Sequence, residues 1–180
     1  RETIKSLKKI TMSYLQKEIK NSVAVLTLDK PGEKVNTLDE SMMVQFSEFL
    51  DELNTNDELR GAVLISGKKD NFIAGADIDM FKARDTAEEL EELSLNGHEI
   101  LNKIEASAKP VVVAIHGSCM GGGLELSLAC DYRLASKHPK TVLALPEVKL
   151  GVIPGTGGTQ RLPRLIGIQK ALGYMLPGKN

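Results

Sequence analysis

A chain of 180 residues is long enough for one domain of ordinary size with a real hydrophobic core. Apolar residues make up 42% and charged residues 26%, which excludes a disordered tail and a disulfide-built mini-protein. The formal net charge of −1 supplies no field for nucleic acid or an anionic membrane, and four Phe, three Tyr and no Trp leave little with which to stack bases.

Residues 1–20 carry Arg1, Lys5, Lys8, Lys9, Lys17 and Lys20 against Glu2 and Glu18. Lys5 and Lys8 interrupt the apolar stretch a secretory signal needs, and a transit peptide is richer in Arg and Ser. The segment reads as upstream or tag-like, with Met12 as the native start, and a single domain is expected over 21–180. Residues 23–29 are rich in β-formers and end at Pro31-Gly32, a strand closed by a turn. Thr37 is the expected N-cap of a helix from Leu38, with Glu40 completing a capping box. Met42, Met43, Phe46, Phe49, Leu50 and Leu53 recur at helical spacing behind it, as core.

Residues 62–67 form a short buried strand, and 70–79 a loop in which Gly75 allows close backbone approach. Residues 86–106 make a long helix whose Glu88, Glu89, Glu91 and Glu92 read as a solvated face. Val111–Ile115 is a strand covered on both faces and the longest apolar run, far short of the ~20 residues of a membrane span. It feeds Gly121-Gly122-Gly123 and a helix over 124–130. Cys119 and Cys130 have poor metal spacing and are too few for a disulfide framework, so a reducing, cytoplasmic setting is expected, with the mitochondrial matrix as alternative. Two short strands, near 132–135 and 141–145, precede the loop Pro154-Gly155-Thr156-Gly157-Gly158 and one helix over 159–175. Residues 176–180 stop in turn chemistry, so the chain is expected to be incomplete at that end. Strands alternating with helices give an α/β architecture.

Several motifs fail on context. Residues 173–179 fit Gly-x-x-x-x-Gly-Lys, but Asn180 stands where a phosphate loop needs Ser or Thr. Neither glycine cluster yields Gly-x-Gly-x-x-Gly, and Ser118 lacks a nucleophile elbow. His98, His116 and His138 are dispersed, so no metal site is expected.

Two segments combine glycines with a carboxyl group. In the first, a strand ends at His116-Gly117 and a helix begins at the glycine triplet, with Glu125 on its first turn. The free N–H groups of that turn suit an oxyanion. In the second, Pro146-Glu147 precedes the loop at Gly155. Two carboxyls beside a backbone anion site are the parts for acid–base work on a carbonyl compound. Equally, Glu125 could cap its own helix, Glu147 could pair with Arg161, and the glycines could serve helix–strand packing.

These residues resemble the crotonase (enoyl-CoA hydratase/isomerase) superfamily in three separated motifs that keep their order. Phe72-Ile73-Ala74-Gly75-Ala76-Asp77-Ile78 resembles its first oxyanion segment. Gly121-Gly122-Gly123-Leu124-Glu125-Leu126 through Cys130-Asp131 resembles the second, and Pro146-Glu147 through Gly155-Thr156-Gly157-Gly158-Thr159-Gln160-Arg161-Leu162 the third. Lys34-Val35-Asn36-Thr37-Leu38 and Arg161-Leu162-Pro163-Arg164-Leu165-Ile166-Gly167 are most similar to the hydratase domain that opens multifunctional fatty-acid oxidation alpha subunits.

The resemblance implies a crotonase-like spiral of ββα turns, truncated before its C-terminal helices. It implies hydration of trans-2-enoyl-CoA to 3-hydroxyacyl-CoA in fatty-acid β-oxidation, with an isomerase or a non-catalytic acyl-CoA- or partner-binding fragment as alternatives. By the same resemblance the N–H groups of Ala76 and Gly122 hold the thioester oxygen, Glu125 deprotonates water, Glu147 protonates the α-carbon and the Gly155 N–H positions the water. CoA would lie along Ala74, Gly75, Asp77 and Ile78, and the acyl wall partly in residues 81–95. No cofactor is implied for this chain, since CoA belongs to the substrate and NAD to a dehydrogenase region beyond it. A thiolase beta subunit would be the partner of the whole protein.

Overall fold

A computed structural model describes residues 14–179; the expected start at Met12 lies outside them. The first strand, β1 (Leu15–Lys20), falls within the stretch expected to lie upstream of the domain. It pairs antiparallel with β2 (Val23–Leu28) across a two-residue turn in which Asn21 and Ser22 both have positive φ, +50° and +64°. That is the turn whose twist matches a hairpin. Only Leu15 in β1 is even half-buried, so the strand lacks the apolar alternation that would announce it.

Helix α1 (Glu40–Thr55) is followed by β3 (Gly61–Ser66), β4 (Asn71–Ile73), the short α2 (Ile78–Lys82) and α3 (Ala87–Glu105). From β3 onward the chain repeats one pattern, two strands and then helix. Next come β5 (Val111–Ile115), β6 (Ser118–Met120) and α4 (Gly122–Ala129). The last turn runs through β7 (Tyr132–Ala135), β8 (Val142–Ala144), a 3-10 turn at Glu147–Leu150, α5 (Gly158–Ile166) and α6 (Ile168–Met175). Strands β3, β5 and β7 enter a five-stranded sheet of order β1-β2-β3-β5-β7, and β4, β6 and β8 a second sheet in that order. Every pairing except β1–β2 is parallel. The expected spiral of ββα turns is therefore present.

The large sheet has one dry face. Ala24, Leu26 and Leu28 of β2, Leu64 of β3, and Val111, Val113 and Ile115 of β5 are buried against Met42, Phe46, Phe49, Leu50 and Leu53 of α1 and the rest of the core. On β5 the alternate residues Val112 and Ala114 are half-buried, so that strand is fully covered on one face only. Helix α4 is buried along almost its whole length, as an apolar helix without a polar face must be. By contrast α3 buries only Leu101 and Ile104, and its four early glutamates face solvent as expected. Its N-terminus carries a capping box between Thr86 and Glu89.

Three local expectations are corrected. Helix α1 is capped by Asp39, whose side chain accepts from Met42 N–H at 2.9 Å, and not by Thr37. Leu38 is drawn into an extended bridge with Ala76, donating to Gly75 O at 2.9 Å and accepting from Asp77 N–H at 2.8 Å, so no helix can start before it. The loop expected over 70–79 contains β4, and β6 precedes the glycine triplet. The helix expected over 159–175 is two helices, broken at Gly167 with φ +85° and ψ 149°. Among the described residues no helix is long and apolar enough to cross a membrane.

Candidate active site

The three strands of the small sheet lie parallel and in sequence order, so their C-terminal ends stand side by side. Chain leaving β4 forms Ala74-Gly75-Ala76, chain leaving β6 forms Gly121-Gly122, and chain leaving β8 forms Pro146-Glu147. Each ββα turn thus delivers one piece to one place, at the strand ends where α/β proteins place their ligands. These pieces line a cleft of about 570 Å³ that also takes in Glu125, Gly155 and Ile78. Asp77 does not line it. Its carboxyl faces away, accepting from Lys30 Nζ at 3.0 Å and Thr37 Oγ1 at 3.2 Å, and Lys30 holds it below the usual carboxylate range.

The Ala76 and Gly122 N–H groups are left free in the cleft among the described residues. Ala74 N–H donates to Asn36 O, Gly75 O accepts from Leu38, and Asp77 N–H donates to Leu38 O, which leaves the Ala76 N–H without an acceptor among the described residues. Gly122 is the first residue of α4, where an N–H has no intrahelical partner. A Cβ on Gly122 would stand 3.6 Å from Ala76 N, so the two amides are neighbours and a side chain there would crowd the space before them. Gly121, at φ +52°, makes the turn that aims this helix start.

The two glutamates lie in opposite environments. Glu125 is 2% exposed, yet it is met by three donors: Thr156 N–H at 2.9 Å and Gly158 N–H at 2.8 Å on Oε1, and Thr156 Oγ1 at 2.7 Å on Oε2. It therefore caps the start of α5, not its own helix. Glu147 has both carboxyl oxygens shut from solvent and no hydrogen-bond partner for either among the described residues. Burial pushes its pKa up to about 7; its own backbone N–H offsets part of this, and the Glu125 carboxylate pushes further the same way. The Glu147–Arg161 pair is not made: Arg161 is held by Glu105 at 2.9 Å, Asn102 and the Thr156 carbonyl. An added Cβ on Gly121 would reach Glu147 Oε1 at 3.3 Å, which places that carboxyl beside the glycine that precedes the Gly122 amide.

Chemically, the cleft offers a neighbouring pair of donors for a developing oxyanion, a hydrogen-bonded carboxylate and a carboxyl that keeps its proton near neutrality. The lining is largely apolar and includes Leu38, Met43, Met80, Phe81, Leu90 and Ile100. Thr156 and Ser94 escaped the sequence reading; the only signal was a hydroxyl residue between Gly155 and Gly157. Ser94 donates to Gly155 O at 2.5 Å, and the Gly155 N–H has no acceptor among the described residues. No group of three or more His, Cys, Asp or Glu among the described residues is disposed to hold a metal ion.

Residues 18–180 match the enoyl-CoA hydratase/isomerase family. The fatty acid oxidation complex subunit alpha of Shewanella baltica is 55% identical over 159 residues, 88% of this chain and 22% of that protein. The chain thus spans about a fifth of the length of the curated relatives it matches. Among solved structures, an enoyl-CoA hydratase from Bacillus anthracis superposes with a TM-score of 0.84 at 32% identity, covering 93% of this chain and 64% of that one. An enoyl-CoA hydratase/carnithine racemase from Magnetospirillum magneticum gives 0.85 at 29% identity, covering 94% and 62%.

Proposed function

The chain belongs to the enoyl-CoA hydratase/isomerase family, and from that premise we propose that it hydrates trans-2-enoyl-CoA to 3-hydroxyacyl-CoA as a step of fatty-acid oxidation. The observation that carries the reading is the gathering in one cleft of a glutamate met by three donors, a glutamate with none and two free amides. The thioester oxygen would take hydrogen bonds from the Ala76 and Gly122 N–H groups, which gain strength as an enolate forms. A single such donor is worth roughly 10²–10³ in rate. Glu125 would take a proton from water as its oxygen adds to the β-carbon. Glu147, which keeps its proton up to about pH 7, would release it to the α-carbon. A positioned acid or base contributes roughly 10²–10⁴. The Gly155 N–H would orient the same water.

CoA would pass along Ala74, Gly75 and Ile78, with Asp77 holding the segment through Lys30. The acyl chain would enter the apolar wall. At the level of the whole protein, the alpha-subunit relatives support a role in a fatty acid oxidation complex. A thiolase partner, an NAD-dependent dehydrogenase region and a cytoplasmic location belong to the same proposal and rest on resemblance alone.

The test is loss of the ultraviolet absorbance of a trans-2-enoyl-CoA. Glu125→Gln and Glu147→Gln should each slow hydration by ~10²-fold or more. An isomerase would tolerate one of the two changes and would interconvert 3-enoyl and 2-enoyl thioesters. Tight thioester binding with no turnover in the full-length protein would overturn the enzymatic reading.

A further inference from the structure

Two of the three bonds to Glu125 come from Thr156. Both backbone donors fall on Oε1, so the Thr156 hydroxyl is the only described donor to Oε2. Bonds to one oxygen leave a carboxyl free to swing about it, and a bond to the other removes that freedom. A threonine side chain has three staggered positions, and the hydroxyl reaches Glu125 from one of them. The methyl group fixes which. A Cβ on Gly97, in the interior of α3, would stand 2.5 Å from Thr156 Cγ2. Glycine is the poorest helix former after proline, and its presence inside α3 is accounted for by the seat it leaves for that methyl. From the same helix Ser94 Oγ holds the Gly155 carbonyl at 2.5 Å. The peptide between Gly155 and Thr156 is thereby pinned at its C=O by Ser94 and at its N–H by Glu125.

From these contacts we propose that Thr156 is a positioning residue for Glu125, set in its working rotamer by the absence of a side chain at Gly97. The proposal rests on the hydration reading above and adds a specific orienting device to it. The device fixes the plane of the carboxyl that addresses the water, and so acts on the chemical step more than on substrate binding.

The experiment is steady-state hydration kinetics on the natural full-length chain. Thr156→Val keeps the shape and removes the hydroxyl; kcat should fall about tenfold to a hundredfold while KM stays within about threefold. Thr156→Ser restores the hydroxyl and should recover most of the rate. Gly97→Ala should reproduce the kcat loss by displacing the methyl, and the Gly97→Ala/Thr156→Ser double variant should be faster than Gly97→Ala alone, because the displaced methyl is gone. A purely structural threonine would lower the melting temperature and the active fraction, with no split of kcat from KM and no compensation in the double variant. Thr156→Val within about twofold of the parent, beside a Glu125→Gln variant that has lost activity, overturns the positioning role and leaves hydration standing. A parent protein with no hydration for Glu125→Gln to abolish removes the hydration reading, and the positioning role with it.

Discussion

Glu147 is buried at its carboxyl oxygens without a hydrogen-bond donor, while Glu125, more buried still, has three. A carboxyl buried without a donor favours the acid form. The pKa of Glu147 rises on folding from 4.5 to about 7, so the folded chain binds that proton more tightly than the unfolded chain. Its contribution to stability is complete below about pH 4.5 and is lost as the pH climbs through 7. Glu147→Gln removes the titration. Discounted for a side chain that is only partly buried, the variant should be more stable than the parent at pH 8 by on the order of 1–2 kcal/mol, and not at pH 4. Urea unfolding at the two pH values measures this. Equal differences at both would mean that the carboxyl is not held protonated by the fold. Hydration by the parent should decline above about pH 7 for the same reason.

Among the elements, the break at Gly167 shows what periodicity hides. Residues 159–175 carry apolar positions at helical spacing, and their one proline, Pro163, sits inside α5 four residues before the interruption, so the pattern reads as continuous through Gly167. The backbone at Gly167 takes φ +85° and ψ 149°, a region open essentially to glycine. No atom lies within 4 Å of an added Cβ, so Gly167→Ala should act through the backbone alone and cost about 1–3 kcal/mol. A denaturant midpoint unchanged or raised by that substitution would show that α5 and α6 can join. Helices α1 and α3 and strands β2, β3 and β5 were legible because each is long enough to display its period. Strands β4 and β6 have three residues each and exist through a parallel pairing of Asn71 with Ser118. No local pattern announces a partner that distant. The same holds for the cap of α1, where Thr37 and Asp39 are both able residues and the bridge of Leu38 to Ala76 decides between them. In the site, Glu125 and Glu147 stood out beside their glycines, whereas the Thr156 hydroxyl meets Glu125 across 31 positions of sequence.

Among the described residues, the spiral that gathers the cleft at the ends of the small sheet leaves the outer face of the large sheet without a matching layer. Registered pairs carry one row across all five strands, from Glu18 through Val25, Val63 and Val112 to Tyr132. Ala114 and Leu134 extend the apolar surface beside it. The three valines are half-buried, whereas Tyr132 and Leu134 are 67% and 63% exposed on β7, which ends the sheet. Arg133 turns the other way and donates to the last carbonyls of α4 at Ser127 and Leu128, so the alternation of β7 fixes both aromatic and leucine side chains on the outer face. A contiguous apolar face ending in an edge strand that is unpaired among the described residues favours association, and one charge placed on that face at the edge opposes it. Leu134→Lys should raise the concentration at which light scattering detects self-association, while shifting the melting temperature by no more than about 2 °C, because an exposed side chain contributes little to the fold. Association unchanged by Leu134→Lys would move the sticky surface elsewhere. A large fall in melting temperature would mean that Leu134 is packed, and that the outer face of the sheet is covered more fully than its exposure states.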